Sequence, residues 1–124
     1  LMSEWLQRKY ILLLSNTLEG FSERNNTFNC RCPICGDSKK NKHKKRGYFL
    51  HKQGNYKYFC HNCGATRTIE NFLKEFAPNL AQEYEERFLH MFITNYSLLL
   101  MGMNGLRNGY QKSLPNHLVK RIQE

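Results

Sequence analysis

The chain has 124 residues, 40% of them apolar, five cysteines and a net charge of +9. That length suits one domain of ordinary size, or a small domain with an appendage, and no apolar run reaches the roughly 18–20 residues a membrane helix needs. The charge is concentrated: residues 30–74 carry eleven Lys or Arg against only Asp37 and Glu70, while both flanks balance, and all five cysteines lie in the same stretch. Such placement points to a phosphate-bearing partner, with a merely solvated basic face as the bland alternative.

From the N-terminus, Ser3 to about Leu14 reads as a helix capped by Ser3, with Trp5, Leu6, Lys9, Leu12 and Leu13 on one stripe. Glu4, Arg8 and Lys9 interrupt this stretch, so it does not read as a secretory leader. Residues 15–29 are polar and contain Gly20; they read as a connector with a short strand near Thr27 to Asn29. Tyr48–His51 and Tyr56–Cys60 flank Lys52-Gln53-Gly54-Asn55, which is turn chemistry, so a β-hairpin is expected. Thr66 or Thr68 then caps a helix in which Ile69, Phe72, Leu73 and Phe76 form the buried face, and Ala77-Pro78 ends it. A second helix is expected from about Asn79 to Phe92. Gly102, Gly105 and Gly109 mark a flexible link, and Leu114, Leu118 and Ile122 a short terminal helix. The fold class is therefore α+β, a small zinc-ribbon sheet with flanking helices. Its expected parts are an N-terminal helix and connector (1–29), a ribbon with its following helix (30–76), a packing helix (77–93), and a linker leading toward a further domain (94–124).

The chain holds two CxxCG units, Cys32-Pro33-Ile34-Cys35-Gly36 and Cys60-His61-Asn62-Cys63-Gly64, with 24 residues between Cys35 and Cys60. Two thiolates three positions apart on a tight turn can face one ion, backbone N–H groups can donate to the sulfurs, and the glycine takes the positive φ that closes the turn. Two such knuckles make an S₄ tetrahedron, which suits one structural Zn²⁺ held by Cys32, Cys35, Cys60 and Cys63. The ligand type also suits an iron–sulfur cluster. Disulfides need an oxidising compartment, and a redox CxxC belongs with a βαβ pattern that is not evident here. Cys30 is expected to be a free thiol, because Cys-x-Cys is the poorer bite.

Between the knuckles, Lys39, Lys40, Lys42, Lys44, Lys45 and Arg46 place six permanent cations in eight residues, with His43 among them. Their mutual repulsion predicts a mobile loop until it meets phosphates. Strand alternation sets Tyr48 and Leu50 against Phe49 and His51, and Tyr56 and Tyr58 against Lys57 and Phe59. One hairpin face should pack on the following helix, and the other can stack unpaired bases beside the loop. Which is which stays open, and Tyr56 and Tyr58 fit either core or platform. His51 and Lys57 are the expected hairpin contacts. His61 reads first as an exposed imidazole beside the metal, with a phosphate contact as the alternative.

The segment Cys32-Pro33-Ile34-Cys35-Gly36-Asp37-Ser38, the basic loop ending Arg46-Gly47-Tyr48, Cys60-His61-Asn62-Cys63, and Phe72-Leu73-Lys74-Glu75-Phe76 with Pro78 resemble the N-terminal zinc-binding domain of DNA primases from T4-like bacteriophages. The resemblance covers roughly residues 5–90. It implies a module that recognises a priming sequence on single-stranded template DNA and helps hold the RNA primer beside a TOPRIM-type catalytic domain, in the company of a replicative helicase. It also implies a cytoplasmic location, the host's if the gene is a phage's. Asp37 is the sole aspartate, and the glutamates are scattered, so no carboxylate pair is placed for two-metal nucleotidyl transfer. The chain is accordingly expected to be a piece of a larger primase or a subunit acting in trans. A stand-alone zinc-ribbon transcription or regulatory protein is the alternative, and a protein adaptor docking its basic loop on an acidic partner is a third.

Overall fold

The structure is a computed structural model, and it describes residues 2–102. The expected link at 102–110 and the terminal helix around Leu114, Leu118 and Ile122 lie almost wholly outside the described residues. The chain divides into two compact units, Leu1–Tyr84 and Glu85–Glu124.

Helix α1 spans Met2–Leu13 and continues into a 3-10 turn, Leu14–Asn16. Five strands follow: β1 Ser22–Arg24, β2 Thr27–Cys30, β3 Gly47–Lys52, β4 Asn55–Cys60 and β5 Thr66–Thr68. They form one antiparallel meander in sequence order. Helix α2, Ile69–Phe76, leads directly into α3, Pro78–Gly102, whose first turns, to Tyr84, belong to the first unit. The α+β class expected from the sequence is what is observed.

Two turns fix the register. Lys52 pairs with Asn55 across Gln53 and Gly54, both at positive φ, as a two-residue primed hairpin requires. Arg24 pairs with Thr27 across Asn25 and Asn26, again both at positive φ, a conformation asparagine tolerates better than most residues. Strand β1 was expected to be connector. Its three residues are all exposed, so it carries no buried alternation to betray it, and the Asn25-Asn26 pair is its only sequence signal.

The sheet's helix-facing side carries the core. Phe72 of α2 inserts between Phe49 and Tyr58, with ring centroids 4.9 and 4.7 Å away, and Phe28 meets Tyr56 at 5.7 Å. Thr68 caps α2 by accepting from the Asn71 N–H at 3.1 Å, and Ile69, Phe72 and Leu73 are buried as the periodicity required. Helix α1 adds Leu6, Tyr10 and Ile11, and the 3-10 turn adds Leu14, all buried. That stripe corrects the expected one: of the expected set only Leu6 is buried, while Trp5 (63%), Leu12 (40%) and Leu13 (45%) are exposed. The helix is apolar on two sides, so periodicity alone does not choose between them; the Lys9 ammonium lies over the outward Trp5 ring at 5.9 Å. Ser3, the expected cap, lies inside the first turn because the helix already includes Met2.

Helix α3 starts at Pro78 rather than Asn79 and runs on to Gly102, through residues assigned to the linker. Proline suits the first turn of a helix, where its missing N–H is not needed, and no Gly or Pro interrupts Asn79–Met101.

Candidate metal centre and nucleic-acid interface

The two CxxCG units fold into matching knuckles. Gly36 N–H donates to the Cys32 carbonyl at 3.0 Å, and Gly64 N–H to the Cys60 carbonyl at 2.8 Å; both glycines sit at φ +74°. A Cβ at either glycine would meet open space, so the requirement for glycine here is conformational, not steric. Strand β4 delivers Cys60 at its end, the chain leaving β2 delivers Cys32 two residues beyond it, and the Gly47–Cys60 pairing brings the knuckles together.

The ligand atoms of Cys32, Cys35, Cys60 and Cys63 all lie within 4.8 Å of one another. Cys35 and Cys60 sulfurs are 3.8 Å apart and those of Cys32 and Cys63 4.0 Å. Sulfurs about 2.3 Å from a tetrahedral ion would be about 3.8 Å apart, so the donor set fits a four-thiolate centre. The expected N–H donors are in place: Asp37 N to Cys35 Sγ at 3.4 Å, and Asn62 N and Cys63 N to Cys60 Sγ at 3.3 and 3.5 Å. The Asn62 side chain adds a donor to Cys35 Sγ at 3.5 Å. Burial opposes ionisation of Cys35, but the Asn62 amide, the Asp37 N–H and the neighbouring thiols outweigh it and bring that thiol down to about 7. Burial instead pushes Cys60 up to about 12. Cys30 stands outside the cluster, fully buried, and burial pushes its thiol too up to about 12. It behaves as a small core residue.

Asp37 ties the first knuckle to the far end of the basic loop. Its side chain is 0% exposed; it accepts from the Arg46 guanidinium and the Arg46 N–H, both at 2.7 Å, and from Cys32 N–H at 3.4 Å. Burial alone would raise its carboxyl, but Arg46 and the two N–H donors hold it below the usual carboxylate range. Arg46, expected to contact nucleic acid, is thus committed in part to this internal pair.

The loop backbone is held at many points, which the charge pattern did not foretell. Arg31 donates through Nη1 to the Asn41 and Lys44 carbonyls at 3.1 and 3.0 Å, and through Nη2 to those of Gly36 and Ser38, both at 3.0 Å. Ser38 Oγ accepts from Asn41 N–H at 3.0 Å, and Asn41 Oδ1 from His43 N–H at 2.9 Å. Asn29 donates to the Lys45 and Gly47 carbonyls at 2.9 and 3.0 Å. The backbone is therefore folded around Arg31, while Lys39, Lys40, Lys42, His43 and Lys44 are exposed. Lys45 differs: its stem covers Gly20, where a Cβ would stand 2.5 Å from the Lys45 Cδ, and its ammonium reaches Ser22 Oγ at 3.4 Å.

The strand register settles the hairpin faces. Tyr56 and Tyr58 are buried and belong to the core. The opposite face pairs Tyr48 with Phe59 and Leu50 with Lys57. Tyr48 and Phe59 are half-buried, Lys57 is exposed, and Leu50 is 40% exposed. His61 is exposed and stands edge-on to both rings, 5.1 Å from Tyr48 and 4.8 Å from Phe59, so it links the second knuckle to this face. Its N–H donates to the Arg46 carbonyl at 2.9 Å. His51 is on the other side of the hairpin, its Nε2 2.9 Å from Glu4 Oε1 and its ring against Tyr56. The structure thus brings Lys57 and His61 together with Tyr48 and Phe59 and leaves His51 apart. Tyr48 and Phe59 were absent from the expected contacts; alternation grouped the right residues, but it did not say which group meets the helix.

No protein-family profile matches the chain. Over 84 residues it is 36% identical to the DNA primase of Enterobacteria phage T4, a match covering 64% of this chain and 25% of that protein. The chain thus matches about a quarter of the length of this curated relative. Among the described residues no helix is long and apolar enough to cross a membrane. The match and the four-cysteine cluster together show that the chain resembles the zinc-binding domain of T4-like phage DNA primases.

Proposed function

We propose that this chain is the zinc-binding, template-recognition module of a phage-type DNA primase, engaging single-stranded DNA for primer synthesis. The observation that carries this is a connection: His61 of the second knuckle packs on Tyr48 and Phe59 and donates its backbone N–H to the carbonyl of Arg46, the last residue of the exposed lysine-rich loop. Unpaired bases stack on rings of this kind while cations follow the backbone, and neither element needs a duplex groove. Zn²⁺ is the ion we assign to the four thiolates, from the S₄ set and the primase relative. Its role is structural; the catalytic step, the RNA primer contacts and the helicase belong to the assembly this module would join. The supporting likeness is to a primase four times the matched length, so polymerisation is assigned to a partner domain.

The test is binding by fluorescence anisotropy to labelled single-stranded and duplex DNA of one sequence. Micromolar affinity for the single strand, falling steeply with salt, is expected. Equal or tighter binding to the duplex would transfer the assignment to a stand-alone zinc-ribbon DNA-binding protein.

A further inference from the structure

Between the turn that follows α1 and the first knuckle lies a cleft of about 370 Å³, whose walls include Thr17, Leu18, Glu19, Arg31 and Pro33. Neither the cysteine cluster nor the Tyr48–Phe59 face accounts for it. Its volume falls in the range of small-molecule sites, roughly 300–1,000 Å³. Leu18 and Pro33 make part of the wall apolar, and Glu19 adds a carboxylate whose side chain is 83% exposed.

Arg31 decides what such a cleft can recognise. A guanidinium has five N–H donors, all in its plane. Five acceptors surround this one: Glu19 Oε2 at 3.4 Å from Nε, the Asn41 and Lys44 carbonyls at Nη1, and the Gly36 and Ser38 carbonyls at Nη2. The edge is therefore spent, and Arg31 has no donor left to grip a phosphate. What it can offer a ligand is its flat face, held in place by those five contacts. Guanidinium planes stack on nucleobases. The Arg31 backbone N–H also donates to the Glu19 carbonyl at 2.9 Å, so the carboxylate is tied to the guanidinium at two points.

Cations border this cleft. The carbonyls gathered by Arg31 belong largely to the basic loop, whose Lys39, Lys40, Lys42 and Lys44 are exposed. The Lys45 stem covers Gly20, the residue next to Glu19.

We propose that the cleft is a nucleobase subsite of the single-stranded DNA interface: one unpaired base stacks on the Arg31 guanidinium, in contact with Leu18 and Pro33, and the Glu19 carboxylate accepts from its exocyclic amino group. A carboxylate accepts well from the N4 amino group of cytosine. Thymine instead flanks its N3–H with two carbonyl oxygens, which a carboxylate repels. The subsite thus favours an amino-bearing base, a selectivity that stacking on Tyr48 and Phe59 does not supply. The proposal rests on the single-stranded DNA reading.

The test uses the full chain purified with Zn²⁺, with oligo(dC) and oligo(dT) of equal length, read by fluorescence anisotropy and by ¹⁵N NMR. Oligo(dC) should bind tighter by roughly fivefold, the worth of one added hydrogen bond. It should also move the Arg31 Nε–H resonance and the Leu18 and Glu19 amides. Glu19→Gln, whose amide donates as well as accepts, should bring the two affinities to within about twofold. The lost negative charge acts on both strands alike and leaves that ratio unaffected. Thr17→Phe fills the cleft from an exposed position, and should abolish the ratio and the shifts while binding through the aromatic face persists. Oligonucleotide binding that leaves the Arg31, Leu18 and Glu19 signals unmoved overturns the subsite and spares the single-stranded DNA reading. Equal affinities in the wild type, or a preference that survives Glu19→Gln, overturn the part given to Glu19. A chain that binds neither oligonucleotide overturns the single-stranded DNA reading itself, and the subsite with it.

Discussion

Asp37 is the chain's only aspartate, and it spends its charge inside the molecule. Replacing it with Ala would leave the Arg46 N–H and guanidinium and the Cys32 N–H without their acceptor. Removing one member of a buried, hydrogen-bonded ion pair costs about 3–5 kcal/mol. Arg46 is 31% exposed, so water recovers part of this, and about 2–3 kcal/mol is the expected loss in denaturant unfolding of the metal-loaded protein. A loss under about 1 kcal/mol would show that the Asp37 link is not what anchors the loop. On the open face, Tyr48→Ala and Phe59→Ala should each weaken single-stranded DNA binding by about tenfold, the scale of one lost base stack, with little change in salt dependence. His51→Ala should leave affinity within about twofold, because it faces Glu4; equal losses at all three sites would mean that bases do not bind the open face. The clustering of the four cysteines was legible in the sequence because the CxxCG spacing encodes its geometry locally. Asp37's role was not: its partner lies nine residues on, inside a run that reads as solvated charge.

At the scale of elements, the hairpin and α2 were legible because turn residues and periodicity are local signals. The choice of sheet face was not, since it depends on which side α1 and α2 cover. Arg31 is the same kind of case. By composition it is one cation among eleven between residues 30 and 74, yet its guanidinium holds four carbonyls of the loop. The lysines should therefore divide by role. Lys40, Lys42 and Lys44 are exposed and point to no internal partner in the hydrogen bonds described. Replacing these three with Ala should leave the melting temperature within a few degrees and reduce the slope of log K against log salt by about 2, the counterions of three single-strand phosphates. Arg31→Ala should instead free the loop, seen as faster amide exchange over residues 36–44, and weaken binding by losing the lysines' arrangement rather than a charge alone. An unchanged salt slope in the triple variant would remove the loop from the interface.

For the whole molecule, the question is whether the metal or the aromatic core holds the first unit together. The core is real: Phe28, Phe49, Tyr58, Phe72, Tyr10 and Ile11 are all 0% exposed. Yet a domain of this size has a net stability of only about 5–15 kcal/mol after chain entropy is counted. A structural zinc contributes on the order of 10 kcal/mol to folding, comparable to that whole margin. The second knuckle also follows the end of β4, across the Gly47–Cys60 pair from the start of β3, at the end of the hairpin away from its Gln53-Gly54 turn. On the proposed zinc assignment, withdrawing the ion would free this end of the hairpin, and the core is not expected to survive as an independent remainder. Chelation under reducing conditions is expected to abolish the cooperative thermal transition and single-stranded DNA binding together, and added Zn²⁺ to restore both at one equivalent. If the metal-free chain kept a sharp transition and lost only DNA binding, the core would be self-sufficient and the ion would serve the His61 knuckle and its aromatic face alone.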